Sequence, residues 1–96
     1  MNKCRHLILQ LHSSDNQSVR KAVDELQKIG CLNDDSLNGL ELRHVHLTAT
    51  DLTGASLQKV NLSMADMRWT DLCSADLQGA QLNHALSTPD YQSYWR

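Results

Sequence analysis

The sequence predicts a solenoid: a chain coiled around one apolar axis and closed at its N-terminal end by helices. Three observations predict it. A large aliphatic residue returns at every fifth position from Leu37 to Leu82, and a small or β-branched residue stands two places before most of these. The segment also matches itself best at an offset of twenty residues.

The five-residue beat runs through Leu37, Leu42, Leu47, Leu52, Leu57, Leu62, Met67, Leu72, Leu77 and Leu82 without a gap. On an α-helix each residue advances about 100°, so a step of five would carry the stripe around the rod and leave no face to bury it. In a strand an odd step sends successive leucines to opposite faces. A chain that turns a corner once per repeat satisfies the pattern, because each side can aim its leucine at a common axis. The residues two places earlier are Val45, Thr50, Ala55, Val60, Ala65, Thr70, Ala75 and Ala80, small enough to fill the remaining interior. Between them and the leucines stand polar residues such as His46, Asp51, Ser56, Asn61, Asp66, Asp71, Asp76 and Gln81.

The offset gives the number of sides. Thr50–Leu62 (TDLTGASLQKVNL) laid on Thr70–Leu82 (TDLCSADLQGAQL) matches at seven of thirteen positions, against three at offsets of ten and fifteen and five at twenty-five. Twenty residues made of four fives is a square coil, and internal periods of this length are the mark of solenoids. The columns expected inside are Leu37-Leu57-Leu77, Leu42-Leu62-Leu82, Leu47-Met67 and Leu52-Leu72, one rung of about 4.8 Å apart.

These units resemble the pentapeptide-repeat family, whose loose motif A(D/N)LXX stands here as Ala65-Asp66-Met67 and Ala75-Asp76-Leu77. Thr50-Asp51-Leu52 and Val60-Asn61-Leu62 are looser versions. The resemblance covers roughly residues 35–84. It implies a mainly β fold: a right-handed quadrilateral β-solenoid, here of about two and a half coils, with the leucine and the preceding small residue pointing inward.

A solenoid end exposes unpaired backbone and open core, so it needs a cover. Residues 1–34 are expected to supply one as a helical hairpin. SSDNQSVRKAVDELQKIG carries a start signal at Ser13–Asp15, apolar Val19, Ala22, Val23, Leu26 and Ile29 at helical spacing, and a stop at Gly30. Leu7, Ile8 and Leu11 suggest a shorter helix before it, or a strand. The hairpin's apolar stripe should lie on Leu32 and Leu37. Leu40 and Asp35, standing where small residues are expected, mark the first coil of the 35–85 solenoid as atypical.

Composition bounds the function. The chain has 96 residues and a formal charge of -2, so it offers no basic face for nucleic acid and no polybasic membrane patch. No apolar run approaches the roughly 20 residues of a membrane span, and the N-terminus lacks a cleavage motif. Cys4, Cys31 and Cys73 are odd in number, widely spaced and without CxxC; they read as reduced thiols in a cytoplasmic protein, forming neither a disulfide nor a zinc site.

The aromatic residues point to an interaction surface. Three of the four rings, Tyr91, Tyr94 and Trp95, fall in the tail 86–96 beyond Pro89, and the fourth, Trp69, takes an outward corner position. Rings on a surface commonly have a partner. The tail is expected either to fold back over the last coil, covering Trp69, or to dock a second copy. Dimerisation is favoured because so short a stack gains most from extension, and because pairing through the C-terminal coil is what the resemblance implies. The expected interaction residues are Met64, Trp69, Tyr91, Tyr94 and Trp95.

The other constellations read as solvated corner and face residues. His44, Met64 and His84 share one outward column, with His46 nearby, but the outer pair lie about two rungs apart, too far for one metal. Asp51 and Asp71 stack, yet a filled interior and flat faces leave no pocket for acid–base work. Cys73 has no histidine to activate it. Gly39, Gly54 and Gly79 stand singly at corners, not in a phosphate-binding loop. No enzyme, cofactor or metal site is expected. The expected role is a non-catalytic protein–protein interaction or assembly module, partnered by another protein or by itself. The alternative, a DNA-mimicking inhibitor of a type II topoisomerase, is what some members of the resembled family suggest. It calls for a long acidic rod, whereas this segment has six acids and three bases.

Overall fold

The computed structural model describes residues 3–86. Two helices, α1 (Lys3–Gln10) and α2 (Asn16–Lys28), precede the repeats and pack on each other. Asp15 caps α2: its carboxylate accepts from the Gln17 N–H (3.1 Å) and the Ser18 hydroxyl (3.2 Å), satisfying a donor that the first helical turn leaves without a partner. At the other end Gly30 adopts φ +83°, Cys31 N–H donates to the Leu26 carbonyl (2.8 Å) and Gly30 N–H to Gln27 (3.3 Å). This pair of bonds around a left-handed residue is a Schellman stop. Val19, Ala22, Val23 and Leu26 are buried, whereas Ile29, the C-cap residue, is exposed.

From Leu37 onward every five-residue unit makes the same turn. The N–H three residues after each beat residue donates back to its carbonyl, as in Val45 to Leu42, Ala55 to Leu52 and Ala80 to Leu77. The third residue of each turn has positive φ: Gly39, His44, Ala49, Gly54, Lys59, Met64, Trp69, Ser74, Gly79 and His84. That combination is the pattern of a type II turn. After four such turns the chain lies beside itself. Parallel bridges join Glu41 to Asn61, His46 to Asp66, Asp51 to Asp71, Ser56 to Asp76, Asn61 to Gln81 and Asp66 to Leu86, each an offset of twenty residues. Around each bridge the coils exchange bonds, for example Leu57 N–H to the Asp76 carbonyl (2.8 Å) and Asp76 N–H to Ala55 (2.8 Å).

Two expectations are corrected here. Among the described residues no strand forms, only isolated bridges, because each face contributes a single paired residue before the next turn begins. The thiols are also not all reduced: Cys4 and Cys31 form a disulfide, with Cα atoms 6.0 Å apart. The Schellman stop turns Cys31 back towards α1, which spacing along the chain does not reveal. The cytoplasmic placement drawn from three free thiols loses that basis. Among the described residues no helix is long and apolar enough to cross a membrane.

The core is one continuous column. Leu37, Leu42, Leu47, Leu52, Leu57, Leu62, Met67, Leu72 and Leu77 are buried, together with Val45, Ala55, Val60 and Ala65. Thr50 and Thr70 are buried too, and both hydroxyls donate to the Leu47 carbonyl, at 2.8 and 2.7 Å. In the last coil Ala75, Ala80 and Leu82 are only half-buried. Leu82, expected among the core leucines, lies at the edge of the described stack, where no described coil follows. At the opposite edge the helices cover the first coil. Val23 and Leu26 meet Leu37, Leu42 and Leu47 around a central space of about 10 Å³. The Asn16 amide donates to the His46 and Thr48 carbonyls (3.0 and 3.1 Å), and a His12 ring nitrogen lies 2.9 Å from the Glu41 carbonyl. The hairpin thus meets edge groups that would otherwise face an unpaired rung.

Candidate interaction surface

Positive φ at the turn's third residue throws its side chain away from the axis. Met64 is consequently 48% exposed and Trp69 62%. The corner column contains His44, Met64 and His84, and with Ala85 and Leu86 these line one open depression of about 590 Å³. Leu86 is also exposed, so the depression has an apolar floor between two imidazoles. Trp69 stands one corner further on and does not line it. Tyr91, Tyr94 and Trp95 lie outside the described residues.

The acids beside the leucines serve the turns. A carboxylate or amide oxygen at this position accepts from the N–H two residues ahead: Asp51 from Thr53, Asn61 from Ser63, Asp66 from Arg68, Asp71 from Cys73 and Asp76 from Gln78, all at 3.0–3.3 Å. Each turn otherwise leaves that donor unpaired, which gives Asp and Asn a physical reason to recur there. Asp51 also accepts from the Thr53 hydroxyl at 2.7 Å, and this bond holds its carboxyl below the usual range. Asp76 is lowered chiefly by the Gln58 amide, which donates at 2.6 Å. Both shifts favour the ionised form, opposite to what a proton donor near neutral pH requires.

Two of the acids on the faces carry a basic partner. Arg68 pairs with Asp66 at 2.7 Å and Arg43 with Glu41 at 3.8 Å. The Arg68 hydrogen bond is the main cause holding the Asp66 carboxyl down to about 2. The Cys73 thiol is pushed up, first by its hydrogen bond to Asp71 and then by burial, away from the thiolate a nucleophile needs.

One cluster escapes the sequence pattern. The sulfurs of Cys4 and Cys31 and a carboxylate oxygen of Asp34 all lie within 4.8 Å of one another. Asp34 is fixed by the Ser36 N–H, which donates to it at 3.0 Å, while the Ser36 hydroxyl lies 3.8 Å from the Cys4 sulfur. Only the juxtaposition of α1 with the segment after Gly30 brings these groups together.

Comparison with known proteins agrees with the repeat geometry. The family model for pentapeptide repeats matches eight copies, over residues 36–72 and 50–86, just over half of the chain. No curated protein and no solved structure gave a match. The chain belongs to the pentapeptide-repeat family.

Proposed function

We propose that this chain is a non-catalytic interaction or assembly module, built on a right-handed quadrilateral β-solenoid. The twenty-residue register with four turns per coil supports the four-sided form, and family membership supports the handedness. The observation that carries the functional reading is where the apolar side chains lie. The central space is nearly closed, at about 10 Å³, while Met64, Trp69 and Leu86 are held outward on the second half of the stack. Exposed apolar groups on this part of the stack, beside a depression lined in part by Met64 and Leu86, fit a protein surface or a second copy of this chain; Leu9 and Ile29 in the helical hairpin are exposed as well.

Light scattering on the size-separated protein across micromolar concentrations tests the self-association form. A mass above 10.8 kDa that falls back to it in Met64→Ala/Trp69→Ala, with an unchanged far-UV spectrum, is the expected result. A monomer at the highest concentration removes self-association. Topoisomerase inhibition by DNA mimicry is the weaker reading: Arg68 and Arg43 lie on the acids Asp66 and Glu41, which breaks up a continuous negative face.

A further inference from the structure

We propose that Cys4, Cys31 and Asp34 form a redox-gated site for a thiophilic divalent cation of the zinc class, filled when the two thiols are reduced and emptied when they join. This inference is independent of the interaction surface, which lies on the second half of the repeats.

Three features carry it. The donor set is two sulfurs and one carboxylate oxygen, which suits a borderline-soft ion. All three donor atoms lie within 4.8 Å of one another. A tetrahedral ion with sulfur bonds of about 2.3 Å separates its ligand sulfurs by about 3.7 Å. A Cα separation of 6.0 Å leaves room for that sulfur spacing once the bond between the two sulfurs is reduced. Third, the site is shaped by its neighbours. The Schellman stop at Gly30 places Cys31, which is buried. Cys4 lies in the first turn of α1, and Ser36 holds the Asp34 carboxylate through its backbone N–H. Asp34 is exposed, so the fourth position of a tetrahedral ion faces solvent and can take water.

The chemistry balances. On binding, two thiols release two protons to solvent, the hydrated ion gives up coordinated waters, and two metal–sulfur bonds and one metal–oxygen bond form in their place. On oxidation by hydrogen peroxide, each sulfur gives up one electron as the sulfur–sulfur bond forms. The peroxide O–O bond breaks, takes both electrons and two protons from solvent, and leaves as two waters. The metal ion departs with its charge unchanged.

The test uses the full chain, reduced with a phosphine under anaerobic conditions and titrated with Co²⁺, whose thiolate charge-transfer absorption reports sulfur ligation. The expected result is one equivalent bound, displaced by Zn²⁺. The band should vanish in Cys4→Ser and in Cys31→Ser and persist in Cys73→Ser. Loss of a group that merely supports a ligand commonly weakens a site about 10–100-fold, so Asp34→Asn, at an exposed position, should weaken Co²⁺ binding at least about tenfold with its far-UV spectrum unchanged. Peroxide should release the Zn²⁺ to a chelating dye, and renewed reduction should restore uptake. No charge-transfer band in the reduced protein, a band surviving Cys31→Ser, or equal affinity in Asp34→Asn would each overturn the proposal.

Discussion

Replacing Leu57 with alanine probes the stack at a leucine that has a buried leucine in the coil on either side. Leu57 is 2% exposed, and the coils on either side present Leu37 (1%) and Leu77 (7%). Losing its transfer free energy costs about 1.5–3 kcal/mol. The rigid turns above and below limit collapse into the gap, and the central space is already filled apart from about 10 Å³. A residual cavity therefore adds to the loss, and the expected total is about 3–5 kcal/mol. Leu82 supplies the internal control. It is half-buried at the edge of the described coils, so Leu82→Ala should cost about 1 kcal/mol, part of the transfer contribution with no closed cavity. Urea unfolding followed by far-UV circular dichroism measures both, provided the slopes stay equal. Equal costs for the two variants, or a loss below about 1 kcal/mol at Leu57, would refute the filled-column account.

The other predictions concern the turns, the staple and the charges. Gly79→Ala should destabilise by about 1 kcal/mol or more, because Gly79 has φ +76° and an added Cβ would stand 3.1 Å from the Lys59 Cγ; thermal melting checks it. Cys4→Ser should cost about 3–4 kcal/mol under oxidising conditions, since the bond closes a loop with a sequence separation of 27. Under reducing conditions without metal the difference should vanish. Stability from Asp66 should be fully present above about pH 4, the ordinary carboxylate range. It should be lost as pH falls towards about 2, where the lowered carboxyl takes its proton. Arg68→Ala should reduce that acid-side dependence, leaving the part due to the residue-68 backbone N–H, read from melts at pH 5, 4, 3 and 2.5.

The repeat was legible because it is written in side-chain size. A leucine every fifth residue excludes helix and strand by angle alone, and the twenty-residue self-match gives the register later seen in the bridges from Glu41–Asn61 to Asp66–Leu86. The cap was legible through Asp15 and Gly30, whose side chain and left-handed backbone end α2 as their chemistry suggests. Less visible was the part the acids play. Asp51 or Asp76 reads as solvated until the turn shows an N–H two residues ahead that needs an acceptor. The pairing of Cys4 with Cys31 was hidden because it depends on how α1 returns to the stop after α2, a contact over 27 residues with no local motif. On the outer surface, Met64 and Trp69 were marked by their corner register. That His44, Met64, His84 and Leu86 share one depression follows from the stacking of coils.

The coil exists only if chain segments twenty residues apart are hydrogen-bonded neighbours. Nitrogen-to-carbonyl scalar coupling across hydrogen bonds, measured on isotope-labelled protein in solution, reports this directly. Correlations are predicted from the amide nitrogens of Leu47, Leu52, Leu57 and Leu62 to the carbonyl carbons of Asp66, Asp71, Asp76 and Gln81. Correlations from these leucines at an offset other than nineteen residues, the spacing of the bonds that flank each twenty-residue bridge, or solvent-exchanging amides at these four leucines, would contradict it.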